Sequence, residues 1–325
     1  MTGATEDWEI PPEARPDPAH CSYDLAGALQ AAVAVRTIVP EDAFTASTLG
    51  TERRGNGMVI EGGIVLTIGY LITEAETIWL TFADGRTVEG HALAYDQETG
   101  FGLVQPLARL DMDGLALGSS RELEVGGAAV IAAAGGLNRS LAARLVGRQE
   151  FAGYWEYVLE EALFTAPAHP HWGGTGLIGA SGELIGIGSL QLEAAGSTGT
   201  AMPINMVVPI DILKPILGEL KAHGRRNRPA RPWLGVYCTG MEDKVVVMGV
   251  AGKGPARDRG METGDIILRV AGTPVGSLAG FYRRVWSLGD AGVEVPLTVH
   301  RDGRTLELRL RSGDRNDYLK RPRLH

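Results

Sequence analysis

The densest group of residues that could do chemistry lies between His169 and Thr175, in the stretch HPHWGGT. It combines two imidazoles with a hydroxyl, and a threonine hydroxyl can attack a carbonyl when a base lies within hydrogen-bond reach. His169 and His171 could instead form half of a metal site, but no further ligand set is evident, so we expect no metal. The third interpretation is that Thr175 is a loop residue and both histidines are surface loop residues, and we favour it.

The same stretch belongs to a longer pattern, Pro170–Ile178 followed by GELIGI at Gly182–Ile187, which predicts a tight loop feeding a hairpin. It resembles the nucleophile loop of trypsin-like serine proteases of the HtrA type, Pro-Gly-Asn-Ser-Gly-Gly-Pro-Leu, then a turn and Gly-Glu-x-Ile-Gly-Ile. The resemblance places the nucleophilic serine at Gly173, or at Gly174 if the alignment gap moves. Neither residue has a hydroxyl. His171 stands at a family glycine, where a side chain would disturb the turn whose amides stabilise an oxyanion.

Two other stretches resemble the rest of the family's catalytic triad. LTIGYLI at Leu66–Ile72 matches Leu-Thr-Asn-x-His-Val-Val and places Tyr70 at the histidine. A phenol with a pKa near ~10 is a poor general base near neutral pH. DQETGFG at Asp96–Gly102 matches Asp-x-x-Thr-Asp-Leu-Ala and places Gly100 at the aspartate. Asp96 and Glu98 then read as turn residues.

These substitutions lead us to expect a catalytically inactive homologue, a pseudoprotease with no intact catalytic residue and no enzyme activity. Such a protein would act as a peptide-binding or regulatory scaffold, for example in protein quality control. The alternative is an active serine-type endopeptidase or other hydrolase with a rewired site near Thr175 or His171. We interpret Trp172 and Tyr70 as packing residues that fill the space of the lost triad.

The elements that would position these residues are short strands, because brief apolar runs are separated by many of the 45 glycines. The resemblance implies a mainly β fold with a chymotrypsin-like double β-barrel in residues 24–224. The barrels would span about 33–110 and 115–209, with a connecting helix over Ile210–His223. We predict a polar turn at Arg53–Asn56 and a strand at Leu115–Gly118. Residues 154–157 fit no element.

A basic, proline-containing linker at residues 225–232 precedes a second domain at 233–312. Its run Gly254–Val275 resembles bacterial PDZ domains, with Gly-Pro-Ala, x-Gly-Asp-x-Ile and x-Gly-x-x-Val in order. The resemblance implies an α+β PDZ domain whose loop amides hold a peptide's C-terminal carboxylate. Helical spacing would place three apolar residues of 278–288 on the opposite wall, although they could simply fill the core. The predicted peptide-binding residues are Trp233, Leu234, Gly235, Val236, Leu278, Tyr282 and Val285.

Charge and composition limit the partners. A net charge of −8 without a long basic run argues against nucleic acid, and no apolar run reaches the length of a membrane span. We expect unpaired thiols at Cys21 and Cys238, no cofactor, and protein C-termini or unfolded hydrophobic peptides as partners, with a possible homo-oligomer. Residues 1–23 and 313–325 read as disordered. The acidic N-terminus lacks a signal pattern, so we expect a cytoplasmic protein, although the family is often exported.

Overall fold

The computed structural model describes residues 8–195 and 201–320, and these form two compact units. The first unit contains residues 8–149, 161–195 and 201–226. The second contains residues 150–160 and 227–320. The sequence predicts that all of 24–224 lies in the first domain, whereas the structure groups 150–160, which we call the hairpin tip, with the C-terminal unit.

Six antiparallel strands close the first barrel in the order β1-β2-β3-β6-β5-β4. Side chains alternate between the barrel interior and the outside, as strand geometry dictates; in β4, for example, Ile78 and Leu80 are buried while Trp79 is exposed. A short helix capped by Asp24 precedes the barrel. The elements are α1 (Leu25–Gln30), β1 (Ala32–Ile38), α2 (Ala46–Leu49), β2 (Glu52–Ile60), β3 (Ile64–Ile68), β4 (Thr77–Thr81), β5 (Thr87–Tyr95) and β6 (Phe101–Pro106).

The second barrel repeats this arrangement in the order β10-β11-β12-β9-β8-β7. Its strands are β7 (Ala128–Ala132), β8 (Leu141–Gly153), β9 (Tyr157–Ala166), β10 (Gly176–Ile178), β11 (Leu184–Ala195) and β12 (Ala201–Pro209). Two consecutive closed barrels confirm the predicted double β-barrel. The predicted helix over Ile210–His223 is interrupted: a 3-10 turn at Ile210–Ile212 is followed by α3 (Leu217–His223). Pro215 lies between them, and proline disfavours helix at the preceding residue.

The C-terminal unit is an antiparallel sheet in the order β13-β14-β15-β17-β18, with β16 beside β15. Helix α5 begins at an N-cap, the Ser277 hydroxyl, which accepts from the Gly280 amide at 3.1 Å. Its buried face includes Phe281, Tyr282 and Val285. The elements are β13 (Val236–Met241), β14 (Lys244–Val250), α4 (Pro255–Asp258), β15 (Ile266–Val270), β16 (Thr273–Pro274), α5 (Leu278–Trp286), β17 (Glu294–Arg301) and β18 (Arg304–Arg311).

Two local predictions in the first unit are wrong. Arg53–Asn56 is not a turn but part of β2, because its backbone pairs in antiparallel register with Ala34–Thr37 of β1. The buried Arg53 guanidinium also donates to the carbonyls of Tyr70 at 2.7 Å and Thr73 at 2.9 Å. Leu115–Gly118 is not a strand and makes only isolated bridges, from Leu115 to Ile60 and from Leu117 to Leu184.

The chain ends are also more structured than predicted. Residues 8–23 include 3-10 turns at Pro12–Ala14 and Pro18–His20, and Ile10 is buried in the second barrel's core. Residues 313–320 include a 3-10 turn at Arg315–Asp317. Residues 1–7 and 321–325, which sequence analysis also called disordered, lie outside the described residues. Within the described ranges, no helix combines the length and apolar character needed to span a membrane.

Candidate functional site

The three positions that the resemblance assigns to a catalytic triad lie next to one another. Tyr70 sits on a 3-10 turn directly after β3, and Gly173 precedes β10. A Cβ atom built on Gly173 would lie 2.7 Å from the Tyr70 hydroxyl oxygen. The Gly100 carbonyl, just before β6, accepts from the Gly69 amide at 2.7 Å. The first barrel and the loop before β10 therefore bring together the three positions that the resemblance assigns, which carry one tyrosine and two glycines.

Tyr70 lies at the centre of this group, and its ionisation state limits the chemistry there. Its hydroxyl donates to the Ser189 carbonyl at 2.9 Å, and burial raises the pKa of Tyr70 above the ordinary phenol value. Tyr70 is therefore a neutral phenol near pH 7. The second alignment of the nucleophile fails on geometry, because Gly174 has a φ of +77° and its Cβ would lie 1.8 Å from the Asn56 carbonyl oxygen.

His169 is a buried structural residue, so its interpretation as a surface residue is wrong. Its Nε2 lies 2.8 Å from the Arg139 carbonyl, and its Nδ1 accepts from the His171 amide at 3.1 Å. The Asn205 side chain accepts from the His169 amide at 2.6 Å. Burial lowers the pKa of His169, and the two ring contacts fit a neutral ring with its proton on Nε2. The His171 amide thus points at this ring rather than at the cleft.

Thr175 and His171 are placed differently from each other. Thr175 is buried, and its hydroxyl donates to the Trp172 carbonyl at 2.8 Å. His171 is exposed, and its ring packs on Trp8 with ring centroids 4.2 Å apart. The Arg139 guanidinium lies over the same indole, 5.0 Å from its centroid. His171 therefore offers an accessible imidazole, whereas the Thr175 hydroxyl is committed to the loop.

A cleft of about 840 Å³ opens over this group. Its walls combine cationic, imidazole and amide groups with aromatic rings. Within the described ranges, no three His, Cys, Asp or Glu side chains could together hold a metal ion. The lining includes Trp8, Arg54, Asn56, Tyr70, Arg139, His171, Trp172 and Gly173.

The C-terminal unit contains a second candidate site, formed by the backbone N–H groups of Leu234, Gly235 and Val236, which we call the amide nest. All three donate to the buried carboxylate of Glu156, from Gly235 at 2.7 Å, Leu234 at 3.0 Å and Val236 at 3.2 Å. Gly235 has a φ of +79°, a left-handed conformation that glycine adopts readily. The predicted carboxylate-binding loop therefore holds a carboxylate of this same chain.

Glu156 is the site residue that sequence analysis missed. It lies about eighty residues before the amide nest, inside the aromatic stretch Tyr154–Tyr157 that fitted no element. No local pattern pairs it with the loop; its backbone φ of +60° is visible only in the structure. Burial outweighs the three amide bonds and raises the pKa of Glu156 to about 7.

The other predicted peptide-binding residues divide into core and edge. Tyr282 and Val285 are 1% exposed and fill the core, which favours the structural alternative for both. Leu278 is half-buried at the start of α5. The Trp233 amide lies outside the amide nest and donates to the Gly313 carbonyl at 3.0 Å.

Comparison with known proteins now identifies both units. Residues 55–187 match the model of the trypsin-like peptidase domain, and residues 232–311 match that of the PDZ domain. The chain is a trypsin-like peptidase domain followed by a PDZ domain. This is the arrangement of HtrA-type proteases, and the mainly β fold expected from the sequence is confirmed.

The relatives of this two-domain chain are named as proteases. It is 26% identical over 273 residues to a probable periplasmic serine endoprotease DegP-like of Pseudomonas fluorescens, covering 80% of this chain and 56% of the relative. It is 27% identical over 277 residues to the periplasmic pH-dependent serine endoprotease DegQ of Escherichia coli, covering 79% of this chain and 58% of the relative. The chain thus spans a little over half the length of these relatives.

A solved structure agrees on the fold. The HtrA-type protease AlgW with a decapeptide superposes with a TM-score of 0.54 at 19% identity, covering 93% of this chain and 100% of that one. At this identity the likeness shows the fold alone.

Two expectations from the sequence are wrong. The expectation of a non-enzyme is overturned by the trypsin-like peptidase domain and by relatives named as serine endoproteases. The expectation of a cytoplasmic location is overturned because those relatives are named as periplasmic.

Proposed function

We propose that this protein captures polypeptides by their C-termini through its PDZ domain and acts on them as an HtrA-type hydrolase in the cleft of its peptidase domain. The observation that carries the capture step is the amide nest, whose three N–H groups converge on one carboxylate. A free C-terminus supplies the same group, and the edge of β13 beside the nest suits an added strand. The relatives' names support a periplasmic setting.

The hydrolytic step needs a base other than residue 70 and a nucleophile other than residue 173. His171 is the exposed imidazole at the cleft, so we assign it as the base that accepts a proton from the attacking group. The Thr175 hydroxyl is buried and bonded to Trp172, which favours water as the nucleophile. Water would add to the peptide carbonyl, and the amine would leave with a proton.

Unfolded casein tests the hydrolytic step, with the full chain purified in parallel with His171→Ala, Thr175→Ala and His20→Ala variants. Removing a general base costs about 10²–10⁴-fold in rate. We expect His171→Ala to lose cleavage by about that factor, while His20→Ala, a change at another exposed histidine, keeps it. Equal cleavage by all four proteins, or loss only in Thr175→Ala, would contradict the role of His171. No cleavage by the wild type would refute hydrolysis and leave capture standing.

The capture step is tested separately by titration with peptides that end in apolar residues, once with free and once with amidated C-termini. Binding should require the free carboxylate, because the amide nest binds an anion without a charged side chain. Equal affinity for both forms would argue against the nest as the binding site.

A further inference from the structure

The hairpin tip lies along the peptide-binding edge of the PDZ domain. The Cys238 amide of β13 donates to the Tyr154 carbonyl at 3.0 Å. Two residues further on, Glu156 places its carboxylate in the amide nest. A strand-like backbone bond followed by a carboxylate in a nest is the pattern of an extended peptide that ends in its C-terminus. Residues 154–156 therefore reproduce the contacts of a bound ligand.

Side chains of the hairpin tip also pack onto the PDZ domain. Val158 is 7% exposed and belongs to the apolar cluster that contains Leu234, Val236 and Val285. The Tyr154 ring lies edge-on to Tyr237 of β13, with centroids 6.1 Å apart. The hairpin tip thus supplies an apolar side chain as well as a carboxyl group, the two features that a C-terminal residue offers.

The helix on the other side of the site holds the base of the hairpin tip. Arg283 of α5 donates from Nη2 to Glu160 at 2.6 Å and also binds Glu150. Both pairs are solvent-exposed, and exposed ion pairs contribute little individually. These ion pairs therefore orient the hairpin tip on the PDZ domain but stabilise that position only weakly.

The backbone of Glu156 is in an uncommon conformation, with a φ of +60°. Such conformations in non-glycine residues persist only where the surroundings enforce them. Glu156 is the last residue of the turn between β8 and β9, and this turn holds the conformation. From it the carboxylate reaches all three amides of the nest.

We propose that the hairpin tip is an intramolecular ligand of the PDZ domain, with Glu156 in place of a C-terminal carboxylate, so that a protein C-terminus binds only by displacing it. The identity of the displacing ligand rests on the proposed function; the self-occupied state does not. An intramolecular competitor lowers the apparent affinity for a peptide in proportion to the fraction of open molecules, in which the hairpin tip has left the amide nest. Displacement would release the end of a hairpin whose strands, β8 and β9, belong to the second barrel.

The decisive variant is Glu156→Gly in the full chain, because glycine removes the carboxylate yet accepts the positive φ. Glu242→Gly is the matched control: Glu242 also has a positive φ, +52°, and is exposed at the β13–β14 turn. We expect hydrogen exchange at the amides of Leu234, Gly235 and Val236 to accelerate about tenfold or more in Glu156→Gly. The control should match the wild type. Unchanged protection in a folded Glu156→Gly protein would overturn the self-occupied state.

Peptide titration of the same proteins separates the two proposals. We expect Glu156→Gly to bind free C-termini at least about tenfold more tightly than the wild type and the control, with no gain for amidated peptides. Faster hydrogen exchange in Glu156→Gly without any peptide binding would support the intramolecular ligand and refute capture of C-termini. If the wild type, Glu156→Gly and Glu242→Gly bound free C-termini equally well and did not bind amidated peptides, capture would be supported and displacement refuted.

Discussion

Gly173 and Tyr70 meet where a nucleophile and its base would meet, and this contact decides what a restored serine could do. The Cβ atom of a serine at position 173 would lie 2.7 Å from the Tyr70 hydroxyl, which is closer than a Cβ atom tolerates. The phenol is neutral and already donates to Ser189. A serine there would gain a steric clash and no base at residue 70.

We therefore predict that Gly173→Ser alone does not increase fluorophosphonate labelling above the wild type. Labelling should rise only when Tyr70→His and Gly100→Asp are added, with His171→Gly to free the loop, because triad residues act as a unit. Gly100→Asp carries its own cost of about 1–2 kcal/mol, since residue 100 has a φ of +82°. Strong labelling of the single variant would show that another group acts as the base.

His169 is a residue whose effect should appear in stability. Its ring bonds to Arg139 and to the His171 amide in the buried loop. We predict that His169→Ala lowers the peptidase domain's free energy of unfolding by about 1–3 kcal/mol, the cost of unpaired buried polar groups. Denaturant unfolding measures this, with His20→Ala as the exposed control. Equal midpoints for both variants would contradict the structural role.

His169 should also make the stability of the peptidase domain depend on pH. Burial lowers the pKa of His169, so the folded domain binds fewer protons than the unfolded chain once the pH falls below about 6.5. Its contribution to stability is complete above that pH and declines on acidification. We predict that the wild type loses more stability than His169→Gln between pH 7 and pH 5. Parallel stability curves for the two proteins would argue against a neutral buried imidazole.

At the scale of elements, the ion pair of Arg226 and Asp96 joins the end of β5 to the segment after α3. Arg226 donates to both Asp96 oxygens, at 2.8 and 2.7 Å, and Asp96 is 6% exposed. From the sequence, Arg226 is expected in the basic linker at residues 225–232. We predict that Arg226→Ala destabilises the peptidase domain by about 2–4 kcal/mol, because a buried carboxylate loses its partner. The exposed neighbour Arg225→Ala is the control, and equal melting temperatures would contradict the prediction.

The sequence predicts most elements because their signals are local. Alternating apolar residues and Asp-Gly turns mark strands such as β4 and β5, and the PDZ pattern locates β15 and α5 closely. The errors arise where a distant contact decides the conformation. Arg53 looks like a turn residue until the pairing of its backbone with β1 is known. Leu115 pairs with one residue only, so its apolar run never becomes a strand.

The candidate sites show the same limit. The resemblance assigns Tyr70, Gly100, Gly173 and the loop Leu234–Val236 to candidate sites by their flanking motifs. It does not find Glu156, whose partners lie about eighty residues away. It also misses the buried state of His169, since its motif reads as an exposed loop.

At the scale of the whole molecule, the proposed displacement of the hairpin tip would make peptide capture depend on pH. Burial raises the pKa of Glu156 to about 7 from the ordinary 4.5, so the closed state favours the protonated carboxyl. Between about pH 4.5 and 7, the Glu156 carboxyl is ionised in the open state but still largely protonated in the closed state. A rise in pH over this range therefore weakens closure. A peptide's terminal carboxylate has a pKa of about 3.5 and stays ionised throughout this range. Capture should therefore strengthen as the pH rises.

The groups that face Glu156 do not titrate in this window. Burial raises the pKa values of Cys238 on β13 and Tyr282 on α5 above their ordinary values, and the Arg315 guanidinium stays charged. We predict that wild-type affinity for a free C-terminus rises from pH 5 to pH 7, by at most roughly two orders of magnitude for a shift of this size, and levels off above. Glu156→Gln should give a flat profile and Glu242→Gln the wild-type one. A wild-type affinity that falls over this range would mean that the carboxylate in the nest is ionised when closed, and that charge repulsion rather than proton release governs the exchange.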